Sequence, residues 1–200
     1  MARYYGTSGN DYYNYMGTER LNAETQEGND TILGNTNNDY IFGDSGNDKL
    51  YGWTGNDNLS GGAGNDWISG EDGKDNLSGG TNNDTLFGGK GDDTIEGSLI
   101  YSVYNSNEYD VLNGGNGYDT FVLGNFLRNN YLGTGHAIIQ DFNLDYIQLK
   151  GSASSFRLNK SKNLVGGAGI DTAIYSGTDL LAIVQDTTDL YLTKYFFKFV

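Results

Sequence analysis

The sequence predicts an all-β protein, a parallel β-roll (a right-handed solenoid) closed by a β-rich C-terminal cap. Three observations lead there. From Thr25 to Glu96 the chain reads in register as eight blocks of nine residues. Each block carries an Asp at one position and a branched aliphatic two residues later. Glycine supplies 31 of the 200 residues, with no proline and no cysteine. That composition suits tight turns and excludes a collagen-like or proline-rich chain.

Taken in order, the chain starts with a weak form of the pattern. Gly9, Asn10, Asp11, Tyr12 and Tyr13 fit one repeat, with Tyr13 at the apolar position. Asp11 lies 19 residues before Asp30, one more than two periods. The segment from Asn14 to Glu24 is therefore expected to bulge, or to cover the first coil as a cap. Repeat arrays need an atypical end, because an open stack exposes a strand edge and core side chains.

The regular run follows. Its acids are Asp30, Asp39, Asp48, Asp57, Asp66, Asp75, Asp84 and Asp93, and its aliphatics are Ile32, Ile41, Leu50, Leu59, Ile68, Leu77, Leu86 and Ile95. Two residues before each acid stands Gly28, Asn37, Gly46, Gly55, Gly64, Gly73, Asn82 or Gly91. A nine-residue unit is too short for a helix pair but suits a turn of about six residues and a strand of about three. The glycines let the turn take positive φ, and Asn is the next most tolerant residue there. Two units make one coil, and coils stack as parallel strands.

Residues 97–104 interrupt the period with an apolar insertion. It is expected to fold over the side of the stack or to meet the C-terminal segment. The pattern resumes at Asp110-Val111-Leu112 and at Gly117-Tyr118-Asp119, making eleven repeats of which the first and tenth are poor. The composition then changes. Residues 1–122 hold 20 acids and 5 bases, and residues 123–200 hold 6 and 7, so −15 and +1 make the net −14. This places a domain boundary near Val122, between a roll at 1–122 and a cap at 123–200. Strand-like runs in the cap are Ala137–Phe142, Tyr146–Leu149, Ser155–Leu158, Thr172–Tyr175, Leu180–Val184 and Tyr195–Val200. Asn143, Leu144 and Asp145 read as a short turn, and Gly166–Thr172, an isolated copy of the repeat, as a hairpin turn.

The acids are the candidate metal ligands. Alternate repeats fall on the same side, which sorts them into two columns: Asp30, Asp48, Asp66, Asp84 and Asp39, Asp57, Asp75, Asp93. Neighbours in a column are about 4.8 Å apart and repel by about 3–4 kcal/mol per pair at an effective dielectric near 20. Several such contacts exceed the stability of a typical domain. A divalent cation between successive acids reverses the sign. Backbone carbonyls near Gly28, Gly46, Gly55, Gly64, Gly73, Gly91 and Gly117 would supply further oxygens. An all-oxygen donor set favours Ca²⁺ over zinc, copper or the stricter Mg²⁺. About six to eight ions are expected, Asp110 and Asp119 adding to the core run and Asp11 being the weakest candidate.

This repeat resembles the RTX (repeats-in-toxin) family of calcium-binding β-rolls, whose nonapeptide is G-G-x-G-x-D-x-U-x. The resemblance implies a parallel roll, calcium-dependent folding, and type I export directed by an uncleaved C-terminal region. The segment His136–Gly151 and the apolar end Tyr195–Val200 resemble the C-terminal region of small cyanobacterial-type RTX proteins. The N-terminus carries no apolar signal segment and no run spans a membrane. A −14 charge makes nucleic acid a poor partner. Gly43-Asp44-Ser45-Gly46 looks like a hydrolase motif but falls in frame as one turn, and H-E-x-x-H is absent.

The expectation is a secreted, non-enzymatic calcium-binding roll with a structural extracellular role as matrix, surface coat or self-assembling fibre, its partners being calcium and other copies of itself. The alternative is a calcium-dependent module for acidic polysaccharide, with Trp53 and Trp67 as contacts. A lesser alternative is ice binding by Thr and Asn rows, a pattern broken by Ser45, Ala63, Asp72 and Lys90.

Overall fold

The computed structural model describes residues 1–98, 108–123, 135–142, 145–162, 164, 171–185 and 196–200. The strands are β1 (Ala2–Tyr5), β2 (Tyr12–Asn14), β3 (Leu21–Glu24), β4 (Thr31–Leu33), β5 (Tyr40–Phe42) and β6 (Lys49–Thr54). Then come β7 (Asn58–Ala63), β8 (Trp67–Asp72), β9 (Asn76–Thr81), β10 (Thr85–Lys90), β11 (Thr94–Ser98), β12 (Tyr109–Asn116) and β13 (Thr120–Val122). The last are β14 (His136–Asp141), β15 (Tyr146–Leu149), β16 (Phe156–Lys162), β17 (Asp171–Ser176), β18 (Asp179–Val184) and β19 (Phe197–Phe199), with one 3-10 turn at Ala153–Ser155.

Odd-numbered strands from β1 to β15, followed by β19, form one sheet of nine strands. Even-numbered strands from β2 to β14, followed by β18, β17 and β16, form a second sheet of ten. Each coil of the roll contributes one strand to each sheet. Neighbours pair in parallel with like positions opposite, Asn58 with Asn76 and Leu59 with Leu77. The protein is thus an all-β parallel β-roll. Among the described residues the only antiparallel pairings are at the C-terminal edge, between β16 and β17 and between β17 and β18. Gly177 and Thr178 join β17 to β18, and Gly177 takes φ 62° there, as a two-residue hairpin turn requires.

The core is a double file of aliphatics. Ile32, Ile41, Leu50, Leu59, Ile68, Leu77, Leu86, Ile95 and Leu112 are all fully buried, and the files continue through Phe121 to Ile147 and through Leu112 to Ile139. They face one another across the narrow interior because every second strand residue points inward. At the N-terminal end the file turns aromatic. Tyr4 stacks on Tyr13 with ring centroids 4.1 Å apart, and Tyr13 on Tyr15 at 6.2 Å. These rings close the core where aliphatics would face solvent.

The structure corrects several expectations. The segment after Asn14 is not wholly a bulge or cap, because Leu21–Glu24 is a regular strand of the first sheet. Leu21 occupies the place of the acid and Ala23 that of the aliphatic, both fully buried. The odd residue is absorbed between Asn14 and Leu21, where Met16 is 85% exposed. Strands β6 to β10 are six residues long, not three, since the first half of each turn is also extended and paired. Gly97 and Ser98 complete β11, so the insertion starts after Ser98; residues 99–104 of it lie outside the described residues. So do 143–144 of the Asn143–Asp145 turn, 166–170 of the isolated repeat, and Tyr195. Ala137–Phe142 and Tyr146–Leu149 hold strands of different sheets, β14 and β15.

Candidate metal centre

The acids line up as the period requires, and the columns are longer than the regular run. In the second sheet Asp11, Asp30, Asp48, Asp66, Asp84 and Asp110 follow one another. In the first sheet the file is Asp39, Asp57, Asp75, Asp93, Asp119 and Asp145. Each Oδ1 accepts the backbone N–H of the preceding acid in its column. Asp48 donates to Asp66 at 2.8 Å, Asp66 to Asp84 at 2.8 Å and Asp84 to Asp110 at 2.8 Å. Asp57 donates to Asp75 at 2.8 Å, Asp93 to Asp119 at 2.8 Å and Asp119 to Asp145 at 2.9 Å. Leu21, in the place of an acid, donates to Asp39 at 2.7 Å.

The second oxygen sets the chemistry. Oδ2 of Asp30, Asp48, Asp57, Asp66, Asp75, Asp84, Asp93 and Asp119 is buried without a hydrogen-bond donor. A buried carboxylate oxygen left that way is costly. Its surroundings explain the arrangement. Five residues before each of these acids except Asp30 stands a glycine, and its missing Cβ leaves a small space. At Gly52 that space is bounded by Oδ2 of Asp57 and the Gly70 carbonyl, at Gly70 by Asp75 and Gly88, and at Gly88 by Asp93 and Gly114. Gly43 and Gly79 repeat it with Asp48 and Asp84, and Gly61 and Gly114 stand against Asp66 and Asp119. Carboxylate and carbonyl oxygens converge on the spaces beside Asp48, Asp57, Asp75, Asp84 and Asp93, which fits a hard cation taking oxygen ligands. Among the described residues no three His, Asp or Glu side chains converge on one point, so carbonyls would supply most ligands.

Three places differ. At Asp39 the Asn35 N–H donates to Oδ2 at 2.8 Å. At Asp11 the Thr7 N–H does so at 2.6 Å. Beside Asp30 the glycine is replaced by Thr25, whose buried hydroxyl donates to the Gly43 carbonyl at 2.7 Å. At Asp11 and Asp39 the N-terminal coils therefore use their own donors where the middle of the roll leaves oxygens open, while Asp30 keeps an open Oδ2 but lacks the glycine. The glycines two residues before the acids have another task. Gly28, Gly46, Gly55, Gly64, Gly73, Gly91 and Gly117 all take positive φ. Gly46, Gly64, Gly73, Gly91 and Gly117 lie directly over the carbonyls of Gly28, Gly46, Gly55, Gly73 and Gly91 in the adjacent coil. Asn82 takes φ 85° as expected, but Asn37 is not left-handed. Its N–H donates to Asn35 Oδ1 at 2.8 Å, a local turn that removes the need.

Burial raises the carboxyls. It pushes Asp48, Asp57 and Asp93 up to about 7, Asp66 and Asp75 to about 6, and Asp84 to about 9. Asp39 and Asp119 move the same way for the same cause. Neighbouring carboxylates add to burial at Asp48, Asp57, Asp84 and Asp93. These are values without a cation, and they carry a sign. A folded-state pKa above the unfolded one means that folding takes up protons. The cation-free roll is then stabilised below about pH 4, the unfolded value, and loses that stability as pH rises through about 6 to 9. In calcium-free buffer, circular dichroism should show strand signal gained on acidification and lost toward neutral pH.

Two features escaped the sequence reading. Asp145 continues the first column, fully buried, where the sequence predicts a turn residue. The order Asp145-Tyr146-Ile147 carries the right spacing, but no glycine turn precedes it. Ala137 stands opposite Asp110, ending the second column. The Asn residues before the acids are the other feature. Oδ1 of Asn29, Asn47 and Asn65 accepts the N–H of Asn47, Asn65 and Asn83 at 2.7, 2.7 and 2.9 Å. This exposed ladder runs opposite to that of the acids and needs no metal. Asn65→Ala should cost about 1 kcal/mol in chemical denaturation and leave calcium stoichiometry unchanged.

The family model of the RTX calcium-binding nonapeptide repeat, in four copies, matches residues 24–59, 54–86 and 70–99. A comparison with curated proteins gives no match.

Proposed function

We propose, from the premise that residues 24–99 belong to the RTX family of calcium-binding repeats, that this protein is an extracellular structural element without catalytic chemistry. Its repeats bind calcium; the roll would be exported unfolded, by the type I route, and fold on meeting calcium outside. Its role would be matrix, surface coat or self-assembling fibre. The carrying observation is the file of buried, donor-less Oδ2 atoms beside glycine spaces. Such a file is tolerable where calcium is abundant, and binding free energy there becomes folding free energy.

Among the described residues seven places combine a glycine space with an open Oδ2: Asp48, Asp57, Asp66, Asp75, Asp84, Asp93 and Asp119. We assign one cation position to each. When bound, calcium supplies positive charge between the acids of a column. The chain orients each carboxylate through the N–H bond to Oδ1 and keeps bulk water away by burial. Assembly is supported by β1 and β2, each the terminal strand of its sheet, since a terminal strand can pair with another chain. Among the described residues no helix is long and apolar enough to cross a membrane. Sedimentation and electron microscopy of the calcium-loaded protein test the role. Extended assemblies that dissolve in chelator are expected; a monomer at every concentration contradicts assembly.

A second reading, adhesion to a glycan, is favoured by Trp53 and Trp67, which are 52% and 42% exposed. Ice binding gains no such support. Thr54 is followed along its file by Asp72 and Lys90, joined in an ion pair at 2.8 Å.

A further inference from the structure

Trp53 occupies a strained place. Its φ is 79°, and that of Glu71, its partner on the neighbouring strand, is 76°. The next two residues along this file are Gly89 and Gly115, the residue type that adopts such backbone without strain. Gln26 and Asp44, at the same position of earlier repeats, take φ 72° and 63°, so the turn of the repeat imposes this backbone and Trp53 adopts it with a bulky side chain. That side chain is half exposed.

The indole is shared by two cavities. One, of about 450 Å³, is lined by Tyr51, Thr54, Glu71 and Asp72 as well as Trp53. The other, of about 340 Å³, includes Asn14, Tyr15 and Thr36. Lys90 binds Asp72 at 2.8 Å, while Glu71 accepts the Ser69 hydroxyl at 3.0 Å. An aromatic face thus stands beside a carboxylate, with hydroxyls and amides around it.

We propose that the Trp53 corner docks an amino-sugar glycan, a chain of pyranose rings bearing protonated amines. The flat C–H face of a pyranose stacks on an indole. An ammonium group is drawn both to the indole face and to Glu71. Two cavities divided by one aromatic wall suit a chain of repeating rings better than a single side chain. The Glu71 carboxylate beside the indole repels uronate or sulfated glycans. This deepens the adhesive reading, on which it rests, and replaces the acidic polysaccharide expected from the sequence.

The test uses the calcium-loaded full chain. Trp67→Phe leaves Trp53 as the sole tryptophan reporter of the original two. Trp53→Gly removes the indole and relieves the positive φ, with circular dichroism in calcium confirming its fold. A glucosamine oligomer should shift the fluorescence of the first variant saturably. By calorimetry it should bind Trp53→Gly more weakly by about tenfold or more, as for loss of a stacked aromatic anchor. Equal binding by the two variants overturns the proposal, as does equally tight binding of an oligolysine peptide. Tighter binding of a uronate oligomer overturns it while leaving adhesion standing. Binding of neither glycan removes both.

Discussion

Gly52→Ala is expected to cost about 3 kcal/mol or more of calcium-loaded stability, as overpacking and loss of a buried ionic contact combine. The added Cβ would lie 2.8 Å from the Gly70 carbonyl and press on Oδ2 of Asp57. Backbone strain is not the cause, because Gly52 is outside the left-handed region. The substitution therefore tests the space and not the conformation. Calcium stoichiometry should fall along with the denaturation midpoint. Lys74→Ala, on an exposed corner of the next coil, should stay within about 0.5 kcal/mol of the parent. If Gly52→Ala binds calcium as the parent does, the space beside Asp57 holds no cation.

Asp66→Asn should produce the second large effect. The amide oxygen can still accept the Asp48 N–H, now made to Oδ1 at 2.8 Å, so the coil-to-coil bond survives. What is lost is the charge of an open oxygen. One calcium fewer should bind by calorimetry, and the calcium midpoint for folding should rise several-fold, about 1 kcal/mol at sub-saturating calcium. Asp39→Asn separates the two kinds of site. Its Oδ2 already receives the Asn35 N–H, so an amide nitrogen placed there faces another donor. That variant should lose stability of about 1–3 kcal/mol with the number of bound ions unchanged. Equal loss of calcium in both variants would contradict the distinction.

The regular run was legible because each position does one job. Asp66 bonds the adjacent coil, Ile68 fills the core and Gly64 crosses over the next carbonyl, and each job accepts few residue types. The ends were harder because geometry persists there after the residue type has changed. Leu21 keeps the N–H that Asp39 needs and nothing else of an acid, so β3 carried no sign in the letters. Asp145 keeps the acid and the following aliphatic but lacks the glycine turn. The insertions lengthen the hydrogen-bond separation from 18 to 26 residues between Asp84 and Asp110 without breaking the column, and sequence spacing alone hides that continuity. The metal chemistry was legible as alternating charge and glycine. Which acids keep an open oxygen was not, since Thr7 and Asn35 look like ordinary turn residues until their N–H groups are seen to be engaged.

Calcium-free protein at neutral pH, followed by circular dichroism as calcium is added, tests the coupling of metal to fold most directly. Strand signal should be absent at the start, appear cooperatively with calcium, and vanish on chelation, because the raised carboxyl pKa values leave the bare columns uncompensated as they ionise. A chain that keeps its strand signal in chelator at neutral pH would contradict it.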